Sequence, residues 1–413
     1  MIQFDNKKWP SSPLKQKNLD AEQLKQFLTI RADYEKSAFV TEGHFEVRAL
    51  GAKEFIRPIP PGESGITALC RHSSGHIYGG TGGTAAHLFF YNPAPDADAA
   101  ADIGTVPGAE RVVSLAELPS GAVFGAAVTP EKKSLFFVYK PCQVLLREKD
   151  FNGMGVREIF DLPAEDQLFF STIDPCHSSG TIEMIDCPVE GEILDMVLSP
   201  DGSCSYCLTT GTGEIFRYEL ELQSIKRIGR LDPNGNFSPK LVMDGCGKLY
   251  GAGLYGRIFR YDPVFDDFSA LAVCAPAFKG QEVYARITAW CPDREGKILY
   301  GGMESGLFFR FDTETEQLQV FGKPCAQSRI SAMTRSAGKM FMIAGEPDDC
   351  AHLGCYDETT RELRDLGCPL ARSERPWNGY RFEAMVTGRN GVVFMGEYDR
   401  ISQLFMYFPK TGD

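Results

Sequence analysis

The chain of 413 residues has little that would suit it to a membrane or to nucleic acid. It has no apolar run of about 18 residues, the length that a membrane helix needs. Its first residues, MIQFDNKKWPSSPLKQKN, lack the apolar core of a signal peptide. The net charge is -12, and no run of lysine and arginine exceeds two residues, which argues against a broad nucleic-acid surface. We therefore expect a cytoplasmic protein that binds neither membrane nor nucleic acid.

Several motifs of known chemistry are also absent. The sequence contains no Walker motif, no catalytic-triad signature and no WD dipeptide at the ends of its apolar segments. Its thirteen cysteines are odd in number and scattered, which favours buried reduced thiols over a disulfide framework. A content of 43% hydrophobic and 24% charged residues is typical of a globular chain with a sizeable core.

The strongest positive feature is a repeat. Seven segments share one order: an apolar strand, a turn that closes on glycine, an aromatic strand ending in small residues, a variable loop, and a strand ending in Tyr/Phe-Asp or a close variant. The turn glycine follows the first residue by nine positions in six copies and by eight in the sixth. The copies begin at Ile66, Val112, Ile193, Ser238, Ile287, Ile330 and Phe382.

The repeat spacing predicts the fold class. The copies start 46, 81, 45, 49, 43 and 52 residues apart, which leaves room for a fourth strand in each. We therefore predict an all-β, seven-bladed β-propeller over residues 61–413, with four antiparallel strands per blade and an insertion or extra blade at about 141–190. Residues 1–60 are expected to form an N-terminal extension, with a short helix over 20–36 and a strand near 43–51 that closes the last blade.

The glycine-rich stretch YGGTGG at residues 78–83 has a structural interpretation. It recurs as YGAG, YGGM and MIAG in other copies, so small residues are expected where neighbouring blades approach closely. A phosphate-binding loop would need a helix to follow, and an aromatic strand follows instead.

Cations gather before the first strands, at one end of the predicted axial funnel. They are Arg111, Lys240, Arg286, Arg329 and Arg381. In an acidic protein this gathering predicts an anionic ligand, because guanidinium groups bind carboxylates in a bidentate manner. The alternative is that these cations bridge neighbouring blades through Asp and Glu. Carboxylates in the same region would instead suit a glycoside hydrolase: Glu304, Glu346, Asp348, Glu397 and Asp399.

The repeats of the type IYGG…HLFFYNP, with a histidine in GTGGTAAHLFFY, resemble those of propeller polysaccharide lyases. These enzymes, of the ulvan lyase and rhamnose-glucuronate lyase type, cleave uronate-containing glycans by β-elimination. The resemblance covers most of the chain from about residue 60 onward. It implies an acidic oligosaccharide as ligand, bound at the axial funnel, and no cofactor.

The resemblance also implies roles for individual residues. His87 matches the family histidine and is the candidate base or acid, with Tyr255, Tyr284 or Tyr380 as its partner. Candidates for holding the uronate carboxylate are Arg257, Arg286, Arg329 and Arg381, with Arg111 and Lys240 as further binding residues.

Three alternatives stay open at this point. Such lyases tend to present a second histidine on the neighbouring inner strand, and here that strand reads ITALC, so a tyrosine takes the role or the chemistry differs. His87 would otherwise be a packed core histidine. A non-catalytic propeller that binds a glycan or a protein partner is the third alternative.

One cluster of soft ligands is a weak zinc candidate. Cys350 and His352 would point to the same side of a strand, whereas Cys355 would point to the other, which is unlike a compact zinc knuckle. We therefore expect no catalytic metal, and at most a structural ion completed by a distant residue. The sequence specifies no oligomeric state.

Overall fold

The computed structural model describes residues 40–51, 59–93, 99–141, 158–161, 168–171, 180–189, 191–345, 350–371 and 377–410. Within these ranges the chain is all-β, so the prediction of that class is confirmed. The helix predicted over residues 20–36 lies outside the described residues, as do Glu346 and Asp348.

Each repeat forms strands where the apolar segments predict them. An N-terminal strand precedes the first two repeats; these strands are β1 (His44–Leu50), β2 (Gly65–Arg71), β3 (Ile77–Gly82), β4 (His87–Tyr91), β5 (Ala99–Thr105), β6 (Arg111–Glu117), β7 (Val123–Val128), β8 (Ser134–Lys140), β9 (Glu158–Asp161), β10 (Leu168–Ser171) and β11 (Thr181–Ile185). The third and fourth repeats comprise β12 (Ile193–Leu198), β13 (Cys204–Thr209), β14 (Glu214–Glu219), β15 (Ser224–Arg230), β16 (Val242–Met243), β17 (Leu249–Ala252), β18 (Arg257–Asp262) and β19 (Asp267–Cys274).

The remaining repeats continue the pattern. The fifth and sixth comprise β20 (Ile287–Pro292), β21 (Ile298–Met303), β22 (Phe308–Asp312), β23 (Leu318–Gly322), β24 (Ile330–Ser336), β25 (Lys339–Ala344), β26 (His352–Asp357) and β27 (Leu363–Gly367). Two short strands and the seventh repeat follow as β28 (Leu370–Ala371), β29 (Trp377–Asn378), β30 (Phe382–Thr387), β31 (Val393–Glu397) and β32 (Gln403–Phe408). Short 3-10 turns occur at Leu254–Gly256 and Glu282–Tyr284.

The predicted seven-bladed β-propeller, with four antiparallel strands per blade and the last blade closed by an N-terminal strand, is wrong. Hydrogen bonding joins the first, second and seventh repeats with β1, β28 and β29 into one 14-stranded mixed sheet, and only repeats three to six form separate four-stranded sheets. The sheets merge because Gly82 pairs with Arg111, which links β3 to β6. They also merge through β1, which pairs antiparallel with β32 and parallel with β5.

The long interval after β8 contains a local insertion. Strands β9 and β10 pair only with each other, as a two-stranded sheet, in the part of this interval that the structure describes. Strand β11 then pairs antiparallel with β8 and completes the second repeat with a fourth strand.

The hydrophobic core is divided among the repeats. Seven clusters of buried side chains each combine residues of two consecutive repeats, and one of them joins the seventh repeat to the first. The first strands lie side by side in the same order, since β2 contacts β6, β20 contacts β24, and β30 contacts both β24 and β2. Apolar burial therefore holds each repeat against its neighbours.

The glycines of the repeat have the structural role that the sequence predicts. In three copies a Cβ atom at the first glycine would overlap an aromatic ring of the third strand, as at Gly79 with Phe89, whereas at Gly251 it would meet leucine side chains. A Cβ at the second glycine would overlap the first apolar residue of the next repeat, as at Gly80 with Val112. All seven turn glycines have a positive φ: Gly75, Gly121, Gly202, Gly247, Gly296, Gly338 and Gly391.

A β-bulge recurs at one position in six of the seven first strands. It lies directly after the first apolar residue, where two residues of the first strand oppose one of the second. A bulge changes the direction of its side chain. The residues at this position are Thr67, Val113, Leu194, Thr288, Ser331 and Glu383, and three of them take part in the candidate site described below.

Candidate functional site

Two cavities open where the first strands begin and the third strands begin. The larger, here called the tyrosine cavity, has a volume of about 490 Å³ and lies between the seventh and first repeats. It is lined by Gly82, Tyr380, Arg381, Tyr398, Asp399 and Arg400. The smaller, here called the arginine cavity, has a volume of about 310 Å³ and is lined by Leu194, Gly235, Phe237, Pro239, Arg286, Thr288, Glu304 and Arg329.

The tyrosine cavity combines aromatic rings with guanidinium groups. Arg381 stacks on Tyr398, with its Cζ atom 4.3 Å from the ring centroid. The backbone N–H of Tyr398 donates to the carbonyl oxygen of Arg381 over 2.9 Å, which holds the two residues side by side. Tyr380 is half exposed, and the side chain of Arg400 has no ion-pair partner among the described residues.

The arginine cavity has one polar wall and one apolar wall. Backbone hydrogen bonds connect its polar residues, because Glu304 N–H donates to the Arg286 carbonyl (2.9 Å) and Arg329 N–H donates to the Glu304 carbonyl (2.8 Å). Arg286 has no ion-pair partner within the described ranges, and its buried Nε atom lacks a hydrogen-bond acceptor. Such a buried donor is costly unless a ligand or a water satisfies it.

Glu383 connects the two cavities. Its carboxylate accepts from Nη2 of Arg329 at 3.0 Å and from Nε of Arg381 at 2.7 Å, so it pairs with one arginine from each cavity. Burial opposes ionisation of this carboxylate, with 17% of the side chain exposed, but the two arginines outweigh it and lower the pKa of Glu383. A single carboxylate therefore fixes the position of both guanidinium groups.

Two further predicted binding residues pair across repeats. Arg111 binds Glu192 at 2.6 Å, and Lys240 binds Asp195 at 3.1 Å. Both pairs join neighbouring repeats, which is the structural alternative raised from the sequence. Arg257 lines neither cavity, is exposed, and has no ion-pair partner in the described part of the chain.

His87 lies between two carboxylates and lines neither cavity. Its Nδ1 is 3.1 Å from Asp102 Oδ1, its Nε2 is 3.2 Å from Glu63 Oε2, and only 8% of the side chain is exposed. Burial lowers its basicity, but the hydrogen bonds and charges of Asp102 and Glu63 prevail and raise the pKa of His87. The geometry suits an imidazolium that donates twice, which favours a packed histidine over a catalytic base.

The same cross-strand position carries paired charges in other repeats. His352 lies 2.9 Å from Asp365, and Glu214 lies 2.9 Å from Arg227, in each case between the third and fourth strands. The pairing of His87 with Asp102 thus belongs to a recurrent feature of the repeat. A charged pair at this position ties the outer strand to the third strand.

Replacing His87 with glutamine is expected to destabilise the fold by about 1–2 kcal/mol at mildly acidic pH. Because the folded-state pKa is raised, the stabilisation is complete below the ordinary histidine pKa and declines as pH rises through the folded value. Urea unfolding of the wild type and H87Q across pH measures the difference. The exposed His44, changed to glutamine, is the control. A difference that grows with pH would contradict this role.

The other residues predicted for the site lie partly in the two cavities and partly outside them. Of the three candidate tyrosines, only Tyr380 lines a cavity, whereas Tyr255 and Tyr284 are exposed on the 3-10 turns. Among the candidate carboxylates, Glu304 and Asp399 line different cavities. Glu397 is buried and accepts from the backbone N–H of Gln403 at 2.9 Å.

No group of three or more His, Cys, Asp or Glu side chains in the described ranges is arranged to hold a metal ion. Cys355 is fully buried on the opposite side of β26 from the partly exposed His352.

Eleven cysteines belong to the described part, and none of them forms a disulfide. In the described residues, no helix is long and apolar enough to cross a membrane.

Glu383 is the residue of the site that the sequence analysis missed. The signal was its position, since it occupies the bulge where the other five first strands that have one carry hydroxyl or apolar side chains. A charge at a position otherwise uncharged is unusual within a repeat. It indicates a side chain directed at other charges rather than into a core.

Comparison with known proteins gives a likeness of fold. No family model and no curated protein matches the chain. The crystal structure of the extracellular domain of BT4673 from B. thetaiotaomicron is similar, with a TM-score of 0.54 and 13% sequence identity. The match covers 89% of this chain but only 40% of that one, so this chain spans about two fifths of its length. The resemblance to polysaccharide lyases stays a prediction.

Proposed function

We propose that the protein binds a uronate-containing oligosaccharide across the tyrosine and arginine cavities. The observation that carries this proposal is that each cavity is lined by one arginine with no ion-pair partner among the described residues, Arg400 in the first and Arg286 in the second. The other two arginines that line the cavities, Arg329 and Arg381, both pair with Glu383. In a chain of net charge -12, two such groups at one end of the molecule suit a ligand with carboxylates.

The aromatic residues support a saccharide over a simple anion. Tyr380 is 52% exposed and lies beside Tyr398 in the lining of the tyrosine cavity. A partly exposed ring offers an apolar face for the C–H side of a sugar and a hydroxyl for its polar groups. The lining of the arginine cavity includes the buried Phe237 in addition to its cations.

The proposal includes cleavage by β-elimination. In this reaction a base removes the proton next to the uronate carboxylate, and the bond to the leaving glycosidic oxygen breaks. We assign the proton transfer to Tyr380, because it lines a cavity with Arg381 and Arg400, whereas His87 is held between Asp102 and Glu63. The arginines would stabilise the negative charge that develops on the carboxylate.

Replacement of Arg400 or Arg286 by glutamine is expected to weaken binding of a uronate oligosaccharide about 10- to 100-fold, because each change removes a charge-assisted hydrogen bond. Titration calorimetry measures the affinity. Arg257→Gln is the matched control, since this arginine is exposed and lines neither cavity.

Two further arms complete this experiment. An oligosaccharide whose carboxylates are reduced to alcohols should bind the wild type as weakly as the uronate oligosaccharide binds the variants. Equal binding of the reduced and the uronate oligosaccharides to the wild type would refute the proposal. Ultraviolet absorbance of the unsaturated uronate product reports elimination. Tyr380→Phe should abolish the absorbance and retain binding; if binding persists but wild-type protein gives no product, the protein is a non-catalytic binder.

The proposed location is the cytoplasm. The eleven thiols of the described part suit a reducing compartment, where disulfides are rare. The similar domain of BT4673 is extracellular, which argues for the opposite location. Fractionation of the source cells with antibody detection decides between the two.

A further inference from the structure

Two cysteines and a histidine meet at the edge of the sixth repeat, away from the two cavities. Cys350 directly precedes the residues that lead into β26, and Cys368 directly follows β27. Their Sγ atoms are 3.5 Å apart, and Cys368 Sγ is 3.4 Å from Nε2 of His352. The site is therefore formed by the two ends of one hairpin.

A chain of hydrogen bonds orients these groups. Nδ1 of His352 lies 2.9 Å from Oδ2 of Asp365, so the proton on Nδ1 is held by the carboxylate and Nε2 is left to accept. Cys350 donates to Cys368, whose own S–H is then directed at Nε2 of His352. This is the arrangement of a thiol beside an oriented base.

The groups are accessible to a small molecule. The side chain of His352 is 23% exposed and that of Asp365 is 37% exposed, and both cysteines are partly exposed. A thiol needs a neighbouring base to become a thiolate nucleophile, and Nε2 of His352 lies within reach of Cys368.

We propose that Cys350 and Cys368 form a reversible disulfide on reaction with a hydroperoxide. The sulfur of Cys368 passes its proton to His352 and attacks the peroxide, whose O–O bond breaks to give a sulfenic acid and an alcohol or water. The sulfur of Cys350 then attacks the sulfenic sulfur, the S–S bond forms, and water leaves with the remaining proton. Two thiols and one hydroperoxide thus give one disulfide, one alcohol and one water.

The distances suit this product. A disulfide brings its sulfurs to about 2.0 Å, so the thiols need to approach by only about 1.5 Å. The bond would close the open end of the hairpin formed by β26 and β27. The proposal rests on the thiol geometry and does not depend on what the cavities bind.

Treatment of the reduced full-length protein with stoichiometric hydrogen peroxide tests the proposal. Peptide mapping without reduction should recover a cross-linked peptide that joins Cys350 to Cys368 and disappears after dithiothreitol. Cys350→Ser and Cys368→Ser should each abolish it, and His352→Gln should slow its formation about tenfold by removing the base. Cys246→Ser, at an exposed thiol elsewhere, is the matched control and should leave the cross-link intact.

Three outcomes would overturn the proposal. The two thiols would remain unmodified while Cys246 oxidises, or they would link to other cysteines, or the protein as isolated would hold stoichiometric zinc that Cys350→Ser and Cys368→Ser release. In the last case the cluster is a metal site.

Discussion

Gly302→Ala is expected to destabilise the protein by about 2–3 kcal/mol, because a methyl group there has no room. Its Cβ would approach Cβ of Ile330 to 2.7 Å and Sδ of Met333 to 3.0 Å. Ile330 is fully buried and begins the first strand of the next repeat, so it cannot move without displacing that strand. Urea unfolding at neutral pH measures the loss.

Gly280→Ala separates crowding from backbone strain. Gly280 has a φ of +84°, and a Cβ there would meet nothing within 4 Å. The variant should therefore lose only about 1 kcal/mol, the cost of a left-handed backbone for alanine. If Gly302→Ala loses no more than Gly280→Ala, the close approach of the repeats is not what requires glycine at this position.

Glu383→Gln is expected to lower the free energy of unfolding by about 2–3 kcal/mol at neutral pH. The change leaves Arg329 and Arg381 facing each other without the carboxylate between them. Loss of one partner from a fully buried pair costs about 3–5 kcal/mol, and here solvent at the arginines, which are 24% and 33% exposed, reduces that figure.

The effect of Glu383→Gln on the free energy of unfolding should depend on pH in a definite direction. Because the pKa of Glu383 is lowered in the folded state, its stabilisation is complete above the ordinary glutamate pKa and is lost as pH falls through the lowered folded value. The wild type should therefore converge on E383Q at acidic pH. Unfolding of both proteins from neutral to acidic pH measures this, with Glu221→Gln at an exposed position as control. A constant gap at every pH would mean that the carboxylate charge is irrelevant.

The repeat was predictable because it rests on local chemistry. Glycine in a turn with positive φ and small residues opposite aromatic rings leave a regular pattern in the sequence, so the first three strands of each repeat could be placed. The joining of three repeats into one sheet left no such trace. It depends on a single backbone pair at Gly82 and on the approach of β1 to β5, which residue types do not specify.

The site was predictable in part for a similar reason. Arginines before the first strands could be located by counting, and Arg286, Arg329 and Arg381 do line the cavities. Their ion-pair partners could not be predicted in this way, because Arg329 pairs with Glu383 of the next repeat, and Glu383 lies at a β-bulge. His87 was assigned chemistry by resemblance, although Asp102 and Glu63, which surround it, come from segments on either side of it in the chain.

The position of β1 has a consequence for how the chain reaches this structure. The strand pairs with β32 from His44 opposite Phe408 to Ala49 opposite Gln403, so the first described strand is paired with the last described one. Contacts of such sequence separation form slowly and carry a large loop-closure entropy. Until β32 has been synthesised, β1 lacks its antiparallel partner, and its backbone on that side is open to pairing with other chains. The sheet can therefore be completed only after β32 has been synthesised.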